Sequence, residues 1–116
     1  MISKDLLKGT LKTIVLNLLS EGGRMYGYEI TREVEKLSEG TIQLSWGALY
    51  PTLHKLEADG LIYAEEESTG RRVRKYYQLT PEGSKISRDK VDEFVEYVRV
   101  MSRVLKPTPG LNLNYG

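Results

Sequence analysis

Apolar positions in this chain of 116 residues recur at helical spacing, then alternate, then return to helical spacing. Leu7, Leu11, Ile14, Val15 and Leu18 predict one N-terminal helix, capped by Ser3 and ended by Gly22-Gly23. Leu6, Leu16 and Leu19 widen its stripe beyond one contact face, so a second buried surface is expected. A second helix is predicted from Tyr26 to Leu37, with Ile30, Val34 and Leu37 inward. Gly27 near its start admits close approach of a neighbour or of a phosphate. Thr41 to Leu44 reads as an extended piece, the third strand of a small sheet. Leu49, Leu53 and Leu56 then line one face of a helix capped by Ser45 and stopped at Gly60. Pro51 lies six residues past that cap and removes one helical hydrogen bond. Either the helix restarts there, with Tyr50 near its cap, or its first turn is kinked.

The pattern next switches to strands. Leu61-Ile62-Tyr63-Ala64 reads as one, Ser68-Thr69-Gly70 as a turn, and Arg71 to Leu79 as a second. Alternation puts Val73, Tyr77 and Leu79 on a core face and Arg72, Arg74, Tyr76 and Gln78 on the other. Thr80-Pro81-Glu82 opens a last helix with a cap, an N-terminal proline and an acid on the positive dipole end. Along it, Val91, Phe94, Val98, Met101 and Leu105 form a coiled-coil-like seam, and Lys106-Pro107-Thr108-Pro109-Gly110 ends it. The fold class is mainly α with a small β-hairpin wing: a winged helix-turn-helix plus a long C-terminal helix. Such a layout suits duplex DNA. The expected division is 1–80 for the DNA-binding domain, 81–106 for a dimerisation helix and 107–116 for a tail.

At four stretches the chain resembles the PadR family of bacterial transcriptional regulators. These are Tyr26-Gly27-Tyr28-Glu29-Ile30, Gly47-Ala48-Leu49-Tyr50-Pro51-Thr52-Leu53, Leu56-Glu57-Ala58-Asp59-Gly60-Leu61-Ile62 and Arg74-Lys75-Tyr76-Tyr77-Gln78-Leu79-Thr80-Pro81-Glu82-Gly83. One long helix after the wing resembles the short subfamily. The resemblance implies a homodimeric, cytoplasmic regulator of transcription, a repressor acting on a palindromic operator and relieved by a small aromatic effector. In the family's multidrug-sensing branch a tryptophan on the last helix stacks on the drug. Here Phe94 and Tyr97 are the only aromatics on that helix, which argues against planar-drug binding of that kind.

Net charge is only +1, from 17 basic and 16 acidic residues, so distribution carries the argument. Arg71, Arg72, Arg74 and Lys75 lie together with no acid between Ser68 and Thr80, which concentrates positive charge on the wing. A solvated edge that discourages strand pairing is the plain alternative. Four cations within five positions beside a helix-turn-helix favour phosphate contact instead.

On the recognition helix, Gly47, Pro51, His54 and Lys55 point outward, with Ala48 and Thr52 on a flank. Gly47 and Ala48 admit close approach, Pro51 and Thr52 suit thymine methyls, and His54 or Lys55 can reach guanine acceptors or phosphate. Ser45 at the cap, Tyr26 and Tyr76 complete the expected DNA-binding set. Tyr26 reads equally as a phosphate contact or a half-buried packing residue, and Tyr50 leans towards packing. Leu7, Leu11, Val91, Phe94, Tyr97, Val98, Met101 and Leu105 are the expected dimer interface, which could also line an effector pocket.

Absence of cysteine excludes a thiolate nucleophile, a disulfide framework and a zinc ribbon. Lys8, Lys12 and Asn17 interrupt the N-terminal stripe, so it reads as neither signal peptide nor membrane span. No metal, cofactor or enzymatic activity is expected, since no nucleophile–base pair or phosphate loop stands out. A winged helix used purely to bind protein is the competing class, and the basic wing counts against it.

Overall fold

A computed structural model describes residues 2–106 of the chain. The elements are α1 (Lys4–Lys8), α2 (Leu11–Gly22), β1 (Met25–Tyr26), α3 (Gly27–Leu37), α4 (Trp46–Ala58), β2 (Ile62–Thr69), β3 (Arg72–Leu79) and α5 (Pro81–Leu105). Ser3 caps α1 as expected, its hydroxyl accepting from the Leu6 amide at 3.2 Å. The predicted single N-terminal helix is instead two. Gly9 is a poor helix former, and both the amide and the hydroxyl of Thr10 donate to the Leu7 carbonyl at 3.0 Å, closing α1.

Leu11, Val15, Leu16, Leu18 and Leu19 of α2 are buried against Ile30 and Val34 of α3 and Leu49, Leu53 and Leu56 of α4. Ile62 and Tyr77 close this core from the sheet side. Leu11, expected at a dimer interface, belongs to this core at 4% exposure, because the break at Gly9-Thr10 turns α2 onto the domain body. Leu37, expected inward, is 66% exposed, since α3 ends there beyond the edge of the core.

The sheet has strand order β1-β3-β2, antiparallel throughout. Its third strand is Met25–Tyr26, paired with Tyr77 and Tyr76, and not Thr41–Leu44. Two residues are too few to show alternation in a sequence. Thr41 to Leu44 is instead an irregular connection that sends Leu44 into the core and ties the Ile42 amide to the Ser38 hydroxyl at 3.0 Å.

The Ser45 hydroxyl caps α4 by accepting from the Ala48 amide at 3.2 Å, and the helix runs without a break through Pro51. No restart occurs, and the carbonyl that Pro51 leaves without a donor belongs to exposed Gly47, where water can serve it. Gly60, at φ 75°, ends the helix, and the Leu61 amide reaches back to the Leu56 carbonyl at 3.0 Å.

Thr80 caps α5 and also fastens it to the α4–β2 turn: its hydroxyl donates to the Gly60 carbonyl at 2.7 Å, and its amide to that of Leu61 at 3.0 Å. Gly83 lies directly on the Leu61 backbone. From that anchor α5 packs along α2 and projects outward, giving the molecule a 55 Å long axis. Its outer half carries Val91, Val98 and Met101 half-buried, with Phe94, Val95, Tyr97, Val100, Val104 and Leu105 exposed. The expected tail at 107–116 lies outside the described residues.

Candidate nucleic-acid interface

Strands β2 and β3 pair from Ile62 opposite Leu79 out to Thr69 opposite Arg72, with Gly70 at φ 64° in the turn. This register decides where the wing charges point. Tyr63, Glu65, Glu67 and Thr69 share a face with Gln78, Tyr76, Arg74 and Arg72, while Glu66 sits opposite Lys75 on the other. The positive charge is therefore less one-sided than the sequence suggests, because the acidic run lies across from the basic one. Val73 shares the face of Tyr77 as predicted but is 62% exposed, not in the core, since the hairpin extends past the domain body.

Tyr26 and Tyr76, cross-strand neighbours, meet edge to face with ring centroids 5.3 Å apart. Arg74 lies over the Tyr26 ring at 4.6 Å and Arg24 over the Tyr76 ring at 3.9 Å. Arg24 also donates to the Glu67 carboxylate, and this hydrogen bond raises its pKa above an already high arginine value. Of the two readings of Tyr26, its half-buried ring beneath the Arg74 guanidinium matches the packing one.

The wing also bounds a groove of about 620 Å³. Tyr26, Gly27, Tyr28 and Thr31 form one wall, Trp46 and Tyr50 of α4 a second, and Val73, Arg74 and Lys75 a third. A β-carbon on Gly27 would sit 2.3 Å from the Trp46 ring, so glycine lets that ring lie against the start of α3. Trp46, Tyr50 and His54 follow one another along α4 at centroid distances of 5.3 and 5.6 Å. Trp46 is 53% exposed and Tyr50 41%, so these rings are surface groups and Tyr50 is not mainly packing.

Ser45, Gly47, Ala48, Pro51, His54 and Lys55 are exposed on α4 as predicted, and Thr52 is half-exposed. Lys55, however, pairs with Asp59 at 3.1 Å near the helix C-terminus, which compensates its charge away from the groove. Arg71 and Arg72 stand at the exposed hairpin tip. Sequence reasoning left Arg24, Tyr28 and Trp46 out of the expected set and leaned Tyr50 towards packing. The i, i+4, i+8 spacing of Trp46, Tyr50 and His54 was a legible signal for an aromatic ridge, whereas Arg24 acquires its neighbours only through the sheet.

The sequence profile of the transcriptional regulator PadR-like family matches residues 15–89, running from α2 through the wing into α5. The chain belongs to the PadR-like family. A transcriptional regulator from Clostridium thermocellum superposes with a TM-score of 0.80 at 32% identity, covering 89% of this chain and 97% of that one. A PadR family regulator from Eggerthella lenta gives 0.75 at 29% identity, over 90% and 88%. A protein of Lysinibacillus sphaericus is 32% identical over 87% of this PadR-like chain and 93% of its own length. The transcriptional regulator Rv3488 of Mycobacterium tuberculosis is 44% identical over 59 residues, 51% of this chain and 52% of its own length. Transcriptional regulator YqjI of Escherichia coli is 31% identical over 87% of this chain, which spans only 49% of that protein. This PadR-like protein is thus a transcriptional regulator with a winged-helix fold, and no helix among its described residues is long and apolar enough to cross a membrane.

Proposed function

We propose that this protein regulates transcription by binding duplex DNA as a homodimer, with α4 in the major groove and the wing along the adjacent backbone. The groove joining α4, the start of α3 and the wing carries this reading, because it gathers the half-buried Arg74 with exposed lysine and tyrosine side chains beside a helix with a small, exposed outer face. Arg71, Arg72, Arg74 and Lys75 supply phosphate contacts, which set position and affinity. Gly47, Ala48, Pro51 and Thr52 let α4 approach base edges and thymine methyls, where sequence is read.

Residues 1–80 form the DNA-binding unit and α5 the dimerisation helix, whose exposed apolar outer half needs a partner. A two-fold pair of α4 helices about one helical turn apart, roughly 34 Å, reads a palindrome, and its occupancy of a promoter represses transcription. Phe94, Tyr97 and Met101 are the side chains that a small aromatic effector would meet between paired α5 helices.

Replacing Arg72 and Arg74 together with alanine weakens binding to all duplexes by a similar factor. The slope of log affinity against log salt becomes shallower by about two units. A fluorescence-anisotropy titration across salt concentrations reads both, and an unchanged slope rules the wing out as a phosphate contact.

A further inference from the structure

Arg24, Tyr26, Tyr76, Arg74 and Glu67 lie on one face of the sheet, spread across all three strands. The two tyrosine rings meet at the centre, each with a guanidinium over it. Glu67 is the cross-strand partner of Arg74 and also the acceptor for Arg24, which reaches it across β3 from the far edge of the sheet. A carboxylate thus pairs with Arg24, on the strand opposite Arg74, and a phosphate is an anion that competes for the same guanidinium. Both side chains of the Arg24–Glu67 pair remain substantially exposed, at 39% and 49%, so a competing anion has access to it.

We propose that Arg24 is a further phosphate-binding residue of the DNA face, and that Glu67 is a built-in phosphate mimic that holds it until the duplex displaces the carboxylate. Held this way, Arg24 is already extended over Tyr76 and loses little side-chain freedom when phosphate takes over. The exchange also costs the Arg24–Glu67 bond, which lowers affinity for every duplex alike and leaves a larger share of discrimination to α4. Glu67 thereby sets how firmly the protein holds non-specific DNA. Glu66, one residue away on the opposite face and opposite Lys75, carries the same charge without an ion pair to Arg24 and makes the natural control.

This inference rests on the DNA-binding reading, and a mutant cycle separates the two. The full chain and its Glu67→Gln, Glu66→Gln, Arg24→Gln and Arg24→Gln/Glu67→Gln variants are titrated with a labelled 30-base-pair duplex of random sequence at several salt concentrations. Glu67→Gln should bind roughly tenfold more tightly at low salt, because Arg24 no longer has to leave a carboxylate before it takes the phosphate, whereas Arg24→Gln should make the slope shallower by about 0.9 as one phosphate contact is lost. Glu66→Gln should gain no more than about twofold, the share due to general charge. In the Arg24→Gln background the Glu67→Gln gain should shrink to that same level. Equal gains for the two glutamines, or a Glu67→Gln gain that survives without Arg24, overturn the phosphate-mimic role while leaving DNA binding intact. A wild-type protein that binds no duplex at any salt overturns both.

Discussion

Val98→Glu converts the protein from a dimer of twice the 13.2 kDa chain mass into a monomer, as read by light scattering at micromolar concentration. Val98 is half-buried on the outer half of α5, between Phe94 and Met101 on the same seam, and it is not part of the domain core. A carboxylate at the centre of a paired seam leaves a buried charge with no partner, which association cannot tolerate. The winged core folds as before, so far-ultraviolet circular dichroism and the melting of the core change little. Affinity for a palindromic site falls by about 100-fold or more, because each half-site must then be bound alone and the gain in effective concentration is lost. A Val98→Glu protein that stays dimeric and binds normally would remove α5 as the dimerisation element.

Gly83→Ala should destabilise the fold by about 3 kcal/mol, at the upper end of what overpacking costs. In an exposed helix this change stabilises by about 1 kcal/mol through backbone entropy and helix propensity. Here the sign reverses, because an added β-carbon would lie 1.8 Å from the Leu61 carbonyl oxygen and 2.8 Å from its carbon. Those are backbone atoms already held by the Thr80 bonds to Gly60 and Leu61, so neither side can give way without undocking α5. Thermal denaturation is expected to show a midpoint lowered by roughly 10–20 °C for a domain of this size. Gly47→Ala is the comparison, since its nearest neighbour is 4.0 Å away and its midpoint should hold or rise. Matching midpoints for the two variants would contradict the docking of α5 on the α4–β2 turn. That docking matters for function, because it fixes the direction in which the dimer helix leaves the DNA-binding unit.

Local patterns determined much of this protein before any tertiary contact was considered. The leucine repeat of α4 and its cap at Ser45, the alternation in β3, and the Thr80-Pro81-Glu82 opening of α5 are each set by bonds and faces within a few residues. They suffice for a helix followed by a basic hairpin, and the family resemblance at the same residues agrees with the profile match. Outward positions on α4 were legible for the same reason, since helical phase alone separates them from Leu49, Leu53 and Leu56.

Other features depend on what a segment packs against. The two-residue strand β1 exists because β3 offers an edge to Met25 and Tyr26, a partner 50 residues away that no short-range pattern announces. Val73 and Leu37 carry correct helical or strand phase, yet they stand where the core has ended and are exposed. Arg24 shows the difference most sharply. In sequence it is a lone cation after a Gly-Gly stop. In the fold it lies over Tyr76 and bonds to Glu67, because the order β1-β3-β2 brings the distant β1 alongside the hairpin and sets their charges on a shared face.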